Sequence, residues 1–114
     1  MSGNITIRPA DGTWTVRAAG AILAESREAL ELSEDGHEPV IYFPRRDVAM
    51  ALIEPGGKET RCPHKGTATH YAISTDTGTL ADAAWSYETP HQSVAGIAGH
   101  LAFYPSDQVT VERV

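Results

Sequence analysis

A hairpin signature at residues 67–87, TATHYAISTDTGTLADAAWSY, is the strongest indication of how this chain folds. Side chains of different size alternate on both sides of Asp76-Thr77-Gly78. Alternation with a period of two is typical of strands, and a glycine beside an aspartate favours a turn. The segment therefore predicts two antiparallel strands that reverse near Thr77, in a register that places Thr69 opposite Trp85.

Shorter segments with the same alternation lie on either side of this hairpin. Residues 4–17 predict a second hairpin with its turn at Asp11-Gly12. Residues 39–44 predict a short strand bracketed by two prolines, which favour strand ends and sheet edges because they lack a backbone donor. The last strands are expected within residues 100–104 and 108–114.

Helical signals are few and short. Residues 21–25 favour a strand, but residues 26–30 are equally compatible with the start of a helix. A short helix near 47–53 is predicted from the capping side chain of Asp47, and a second near 90–98 from Thr89-Pro90. The predicted fold is therefore mainly β: a compact single domain over residues 1–114, made of twisted antiparallel hairpins with two short helices.

Composition excludes several classes of function. The net charge of −6 over 114 residues argues against a general nucleic-acid binder or an anionic-membrane binder, because both need a broad basic surface. Residues 45–65 are the exception, with five basic and three acidic side chains. A single cysteine excludes an intrachain disulfide, and the first residues lack the pattern of a signal peptide, so we expect a cytoplasmic protein. The acidic stretch 25–38 is typical of a solvated face.

The pentapeptide Cys62-Pro63-His64-Lys65-Gly66 is typical of a functional site, because it brings a thiol, an imidazole and an ammonium together within five residues. Pro63 favours an extended Cys62, and Gly66 allows backbone angles that other residues resist, so we expect a bulge that re-aims the side chains. The predicted hairpin also brings Lys65 to the same end and face of the sheet as Tyr87.

These residues predict a pocket for a small anionic metabolite or nucleotide. Lys65 is the principal cation, assisted by Arg61 or Arg45 and by backbone N–H groups near Gly66. The walls are the rings of Trp85 and Tyr87. The plainer alternatives are a solvated lysine and two core aromatic residues, although a ring can pack the core with one face and line a pocket with the other.

Catalytic roles are open. Cys62 is a candidate nucleophile whose thiolate His64, Lys65 or Arg61 would stabilise, and its alternative is a small buried apolar residue. Cys62, His64 and His70 could offer metal ligands, but the paired cysteines of a structural zinc site are missing, so no metal and no cofactor is predicted. The sequence alone establishes neither an enzymatic activity nor an oligomeric state.

Four ordered motifs resemble a bacterial family, the domain of unknown function 427, across nearly the whole chain. The family resemblance implies a mostly β domain similar to the β-tent fold of methionine sulfoxide reductase B, without its zinc knuckles. The family also carries a nucleotidyltransferase-like label, yet this sequence shows no Asp-x-Asp arrangement for a metal pair. The motifs are residues 42–48, 62–66, 85–90 and 97–104.

Three hypotheses follow from the sequence. The first is a domain that binds a small anionic molecule in the pocket described above. The second is a cysteine-dependent or nucleotidyltransferase-like enzyme that uses the same pocket. The third is a protein-interaction module that uses the acidic segment 25–38 or an exposed sheet edge.

Overall fold

The computed structural model describes residues 4–114, and within them it contains ten strands in three antiparallel sheets. The predicted mainly β class is confirmed. The radius of gyration, 13.5 Å, is that of a compact domain of this length. The sheets have the strand orders β1-β4-β5, β10-β2-β3 and β6-β7-β8-β9. The strands are β1 (Ile5–Pro9), β2 (Trp14–Ala18), β3 (Ala21–Ser26), β4 (Leu30–Glu34), β5 (Val40–Tyr42), β6 (Ile53–Cys62), β7 (Gly66–Thr75), β8 (Gly78–Ser86), β9 (Leu101–Phe103) and β10 (Val109–Arg113).

The predicted central hairpin is present as β7 and β8, but its register is not the predicted one. Trp85 pairs with His70 and not with Thr69. The pairing shifts between Tyr71 and Ile73, opposite Asp82, whose φ of +52° marks the irregularity. Three residues of β8, 81–83, face the single residue Ala72 of β7, so a register extrapolated from the turn alone is wrong beyond this bulge.

The pentapeptide 62–66 forms the tight loop between β6 and β7. Cys62 pairs with Gly66, and the backbone N–H of Lys65 donates to the carbonyl of Cys62 at 3.3 Å. The chain therefore reverses where the sequence predicted a bulge within one strand. Gly66 has a φ of +116°, an angle that residues other than glycine rarely adopt, so the glycine permits the reversal.

The predicted hairpin over residues 4–17 is wrong, although both of its strands exist. β1 pairs with β4, whereas β2 pairs with β3 and β10. The reason is the core to which each strand contributes: Ile5 and Ile7 pack against one apolar cluster, and Trp14 and Val16 belong to another. Pairing with β4 places Ile7 opposite Leu32, which belongs to the cluster against which Ile5 and Ile7 pack.

Segments with helical signals form strands or single 3-10 turns. The possible helix at 26–30 is instead the end of β3 and a turn into β4. The predicted helix near 47–53 is replaced by turns at Arg45–Asp47 and Met50–Leu52, because Ala49 between them donates its N–H to the carbonyl of Leu23.

The two glycines that follow the predicted helix near 47–53 lie inside β6. The pairing of β6 with β7 shifts between Pro55 and Glu59, so Gly56 and Gly57 fall in a bulge of the strand. Near 90–98 a kinked 3-10 segment covers Gln92–Ile97 and begins later than Pro90. Its Val94 and Ile97 are buried.

Candidate functional site

A cavity of about 400 Å³ opens between β4 and β5 on one side and the β7–β8 face on the other. We call it the central pocket. Three residues of the predicted site from the 62–66 loop line it, and so do both predicted rings: Cys62, His64, Lys65, Trp85 and Tyr87. Its volume lies within the range of about 300–1,000 Å³ that small-molecule pockets have.

Aromatic rings form the deep walls of the central pocket. Trp85 is held in place because its indole N–H donates to the hydroxyl of Tyr42 at 3.3 Å and its ring lies 4.2 Å from that of Tyr104. Tyr42 is 1% exposed, and burial raises its pKa, so its hydroxyl stays protonated at physiological pH. Tyr87 is also buried, and burial raises its pKa as well. The walls are therefore neutral and rigid.

Lys65 enters the central pocket from the hairpin loop and meets a carboxylate there. Its ammonium donates to Glu34 Oε1 at 3.0 Å, and the two side chains are only 13% and 10% exposed. Burial lowers the pKa of Lys65, but the hydrogen bond to Glu34 and the electrostatic interactions with Cys62, Tyr87 and Glu34 together outweigh burial and raise it above its ordinary value. The lysine is thus a fixed cation, already partnered once.

Glu34 responds in the matching direction. Burial raises its pKa, but the hydrogen bond from Lys65 and the charge of that ammonium outweigh burial, so the pKa of Glu34 lies below its ordinary value. Both groups are charged at neutral pH. The ammonium keeps two N–H donors beyond the one that it gives to Glu34. Those donors are the means by which a ligand could engage Lys65.

His70 forms part of the pocket wall on β7. It is 2% exposed, its Nε2 lies 2.8 Å from the hydroxyl of Thr60, and its Nδ1 is buried without a hydrogen-bond partner. Burial, and then the charge of Lys58, lower the pKa of His70, while Asp82 opposes them. The imidazole is therefore neutral at pH 7 and leaves one polar atom of the wall unsatisfied.

The remaining predicted site residues lie outside the central pocket. Arg61 and Gly66 line a separate hollow of about 380 Å³ together with Cys62 and His91. Gly66 is buried there beside the backbone of Pro90. The central pocket thus receives Lys65 without Arg61.

Arg45 is engaged on the opposite face of β8. Its guanidinium donates to the carbonyl of Gly99 at 2.7 Å, to Glu88 at 3.2 Å and to the hydroxyl of Tyr71 at 3.3 Å. Ser86, which is fully buried, donates to Glu88 and lies 2.9 Å from the hydroxyl of Tyr71. We call Arg45, Tyr71, Ser86 and Glu88 the polar network.

Charge in the polar network is balanced internally. The hydrogen bond from Ser86 lowers the pKa of Glu88 most, burial opposes it, and Arg45 lowers it further. Burial lowers the pKa of Arg45, but its bonds to Tyr71 and Glu88 outweigh burial and raise it. The network ties β7 and β8 to the 45–47 turn and to the segment before β9, so its role is structural.

Sequence reasoning missed several residues of the central pocket. Glu34 was assigned to a solvated acidic face, although in a strand Leu30, Leu32 and Glu34 share a side, and that pattern could have placed it beside a buried leucine. Tyr42 and Tyr104 lie within the family motifs at residues 42–48 and 97–104, but the sequence does not predict either as a pocket residue. Tyr104 lies just beyond β9, and its position beside Trp85 depends on tertiary pairing that no local pattern shows.

Two broader features bear on the class of protein. Within residues 4–114, no three histidine, cysteine or acidic side chains converge in a way that could hold a metal ion. Across the same residues, the structure contains no helix with the length and apolar character needed to cross a membrane.

Comparison with known proteins identifies a family. The family model described as "Domain of unknown function (DUF427)" matches residues 6–114, so the chain belongs to that family. A comparison with curated proteins found no match.

Proposed function

Starting from a family whose description assigns no activity, we propose from the geometry of the central pocket that this domain binds a small metabolite or nucleotide with one anionic group. The observation that carries the proposal is the shared cavity of the Lys65 ammonium and the rings of Trp85 and Tyr87. The anionic group would accept from the two free N–H donors of Lys65. The body of the molecule would pack against the rings, which supply most of the apolar contact.

The charges around Lys65 favour a ligand of low negative charge. Glu34 already neutralises the ammonium at 3.0 Å, and Glu38 lines the same cavity. Like charges a few ångströms apart repel strongly where water is excluded. A carboxylate or a nucleoside monophosphate is therefore favoured over a triphosphate, which makes nucleotidyl transfer from a triphosphate the weaker hypothesis.

A thermal-shift screen of carboxylates, nucleoside monophosphates and nucleoside triphosphates tests the proposal. Ligands that stabilise the wild type should lose most of this effect in Lys65→Met and keep it in Lys58→Met, a matched control at an exposed lysine that does not line the central pocket. Because Lys65→Met leaves Glu34 buried without its partner, the double variant Lys65→Met/Glu34→Gln serves as a better-folded second test.

The variant Glu34→Gln tests whether the ligand is negatively or positively charged. Removing this carboxylate frees the lysine charge, so an anionic ligand should bind more tightly to Glu34→Gln than to the wild type. Ligands that stabilise the wild type and both Lys65 variants equally would reject Lys65 as the anchor. Weaker binding to Glu34→Gln would reject an anionic ligand in favour of a cationic one.

A cysteine-dependent activity is the second candidate, and the position of Cys62 favours it. The free thiol is half-buried and lines the same cavity as Lys65 and His64. A nearby ammonium stabilises a thiolate, which is the nucleophilic form. Iodoacetamide alkylation followed from pH 5 to 10 tests this candidate: a rate that rises only near the ordinary thiol value of about 8.5 rejects it, and Lys65→Met should slow alkylation at pH 7 if the ammonium activates the thiol.

A further inference from the structure

A second hollow, of about 600 Å³, adjoins the central pocket. We call it the apolar groove. It shares Glu38, Val40, Trp85 and Tyr104 with the central pocket, so the two hollows meet along the Trp85–Tyr104 pair. The rest of its lining consists mainly of rings and aliphatic side chains: Trp14, Pro39, Ile41, Phe103, Pro105 and Val111.

The groove offers surface for apolar contact and few polar partners. The indole N–H of Trp14 is already donated to the carbonyl of Asp11 at 3.1 Å, and that of Trp85 to Tyr42. What both residues present to the groove is ring surface. Tyr104, at the junction of the two hollows, is 44% exposed, so its ring is accessible to a ligand.

Charge in the groove argues for an uncharged occupant. Among residues 4–114, the charged residues of its lining are Glu31 and Glu38, and no lysine or arginine lines it. Glu31 is paired with Arg8 at 3.3 Å. A second anionic group would therefore be repelled there, whereas hydrocarbon would bury apolar area on both the ligand and the protein.

We infer that the ligand of this domain is amphipathic, with its anionic group at Lys65 in the central pocket and an apolar chain that passes Trp85 and Tyr104 into the apolar groove. This inference rests on the proposed function, because it takes the Lys65 end of the ligand from it. The inference adds the class of ligand, which is a carboxylate or similar monoanion that carries one hydrocarbon chain of several carbons.

A homologous series of carboxylates tests the inference. Acetate, butyrate, hexanoate and octanoate are titrated into ¹⁵N-labelled protein at pH 7.5, below any micelle-forming concentration, and followed by two-dimensional NMR. Affinity should rise roughly three- to fourfold for each methylene that enters the groove. Acetate should shift the Trp85 indole signal alone, and octanoate should shift those of Trp85 and Trp14.

Variants separate the two ends of the ligand. Val111→Asp places a carboxylate in the groove and should abolish the dependence on chain length while leaving acetate affinity unchanged. Val114→Asp, at a residue 72% exposed that does not line the groove, is the matched control and should behave as the wild type. Pro105→Asp, at an exposed position that lines the groove and not the central pocket, repeats the test should Val111→Asp fold poorly. Octanol, which has a chain and no charge, should be insensitive to Lys65→Met.

Each other result overturns the inference in a distinguishable way. Affinity that is independent of chain length, with acetate still dependent on Lys65, overturns the apolar chain and leaves the proposed function intact. Absence of binding at every chain length overturns both. Chain-length dependence that survives both Val111→Asp and Pro105→Asp places the chain elsewhere and overturns the inference. A concentration-dependent dimer that Val111→Asp dissociates, measured by sedimentation, makes the groove a surface for a second copy and overturns the inference.

Discussion

Side chains of the family motif at residues 85–90 alternate between the two faces of the sheet at β8, and the two faces differ in what they contain. Trp85 and Tyr87 point to the central pocket, where a lysine with two free donors and an unsatisfied imidazole nitrogen line a cavity. Ser86 and Glu88 point to the polar network, where side chains satisfy one another. Alternation along a strand produces this division, because successive side chains lie on opposite sides of the sheet.

The difference teaches how to distinguish a binding role from a structural role within one motif. Polar groups that are mutually hydrogen-bonded stabilise the fold and leave little for a ligand. Polar groups that border a cavity with remaining hydrogen-bonding capacity can engage a ligand at small additional cost. By this criterion Arg45 stabilises the fold, whereas Lys65 remains a proposed ligand-binding cation, although the sequence suggested both for that role.

The largest effect is expected on the pocket face, at the pair of Lys65 and Glu34. Lys65→Met should lower the free energy of unfolding by about 3 kcal/mol at pH 7, because it leaves a carboxylate in a poorly solvated position without its partner. The double variant Lys65→Met/Glu34→Gln should recover most of this loss, since neither charge remains. Urea denaturation measures both.

The pH dependence of this pair has a definite sign. The lowered pKa of Glu34 in the folded wild type means that its contribution is present above the unfolded value, about 4.3, and is lost as the pH falls through the folded value. In Lys65→Met the carboxylate has lost the partner that lowered its pKa, so acid should narrow the difference from the wild type. A single variant as stable as Lys58→Met at pH 7 would contradict this view of the pair.

A smaller effect is expected on the network face, at Ser86. Ser86→Ala removes the buried hydroxyl between Tyr71 and Glu88 and should cost about 2 kcal/mol. The pKa of Glu88 should rise, because the hydrogen bond from Ser86 is the main cause of its lowering. Urea denaturation and NMR titration of the Glu88 carboxyl measure these two changes.

The comparison of the faces makes a further demand on Ser86→Ala. Ligands of the central pocket should bind as tightly to this variant as to the wild type once both are folded. Ser74→Ala is the matched control, because Ser74 also donates to a glutamate, Glu54, but at an exposed site, where the loss should stay within about 0.5 kcal/mol. If Ser86→Ala is as harmless as Ser74→Ala, the network is not a stabilising structure.

Local alternation was enough to predict the mainly β class and most of the strands, but it predicted neither β4 nor β6, and it did not predict the partners of the strands. The hairpin at β7 and β8 was predictable because its turn and both strands are contiguous. The partner of β1 was not, because the choice between β2 and β4 depends on which apolar cluster receives Ile5 and Ile7. The resemblance to the β-tent fold of methionine sulfoxide reductase B stays a prediction.

The candidate site divides in the same way. Lys65, Trp85 and Tyr87 were identified from residue type and from a hairpin that joins them, and the cavity contains all three. Glu34 was not identified, because its partner is 31 residues away in the sequence and only strand pairing in another sheet brings it near. The charge of a site therefore cannot be predicted from one segment alone, because a segment far away in the sequence can contribute the opposing charge.

The smallest effect concerns His70, the unsatisfied member of the pocket face. Because burial and then Lys58 lower its pKa in the folded state, the unfolded chain takes up a proton first as the pH falls below about 6.5. Stability should therefore decline below pH 6.5, by at most about 1.4 kcal/mol per pH unit from this group. His70→Gln, whose amide can still reach Thr60, should remove this part of the slope, and His91→Gln, at an exposed histidine, should retain it. Urea midpoints between pH 5 and 7.5 measure the difference. Equal slopes in the wild type and His70→Gln would contradict a pKa of His70 that burial in the pocket wall lowers.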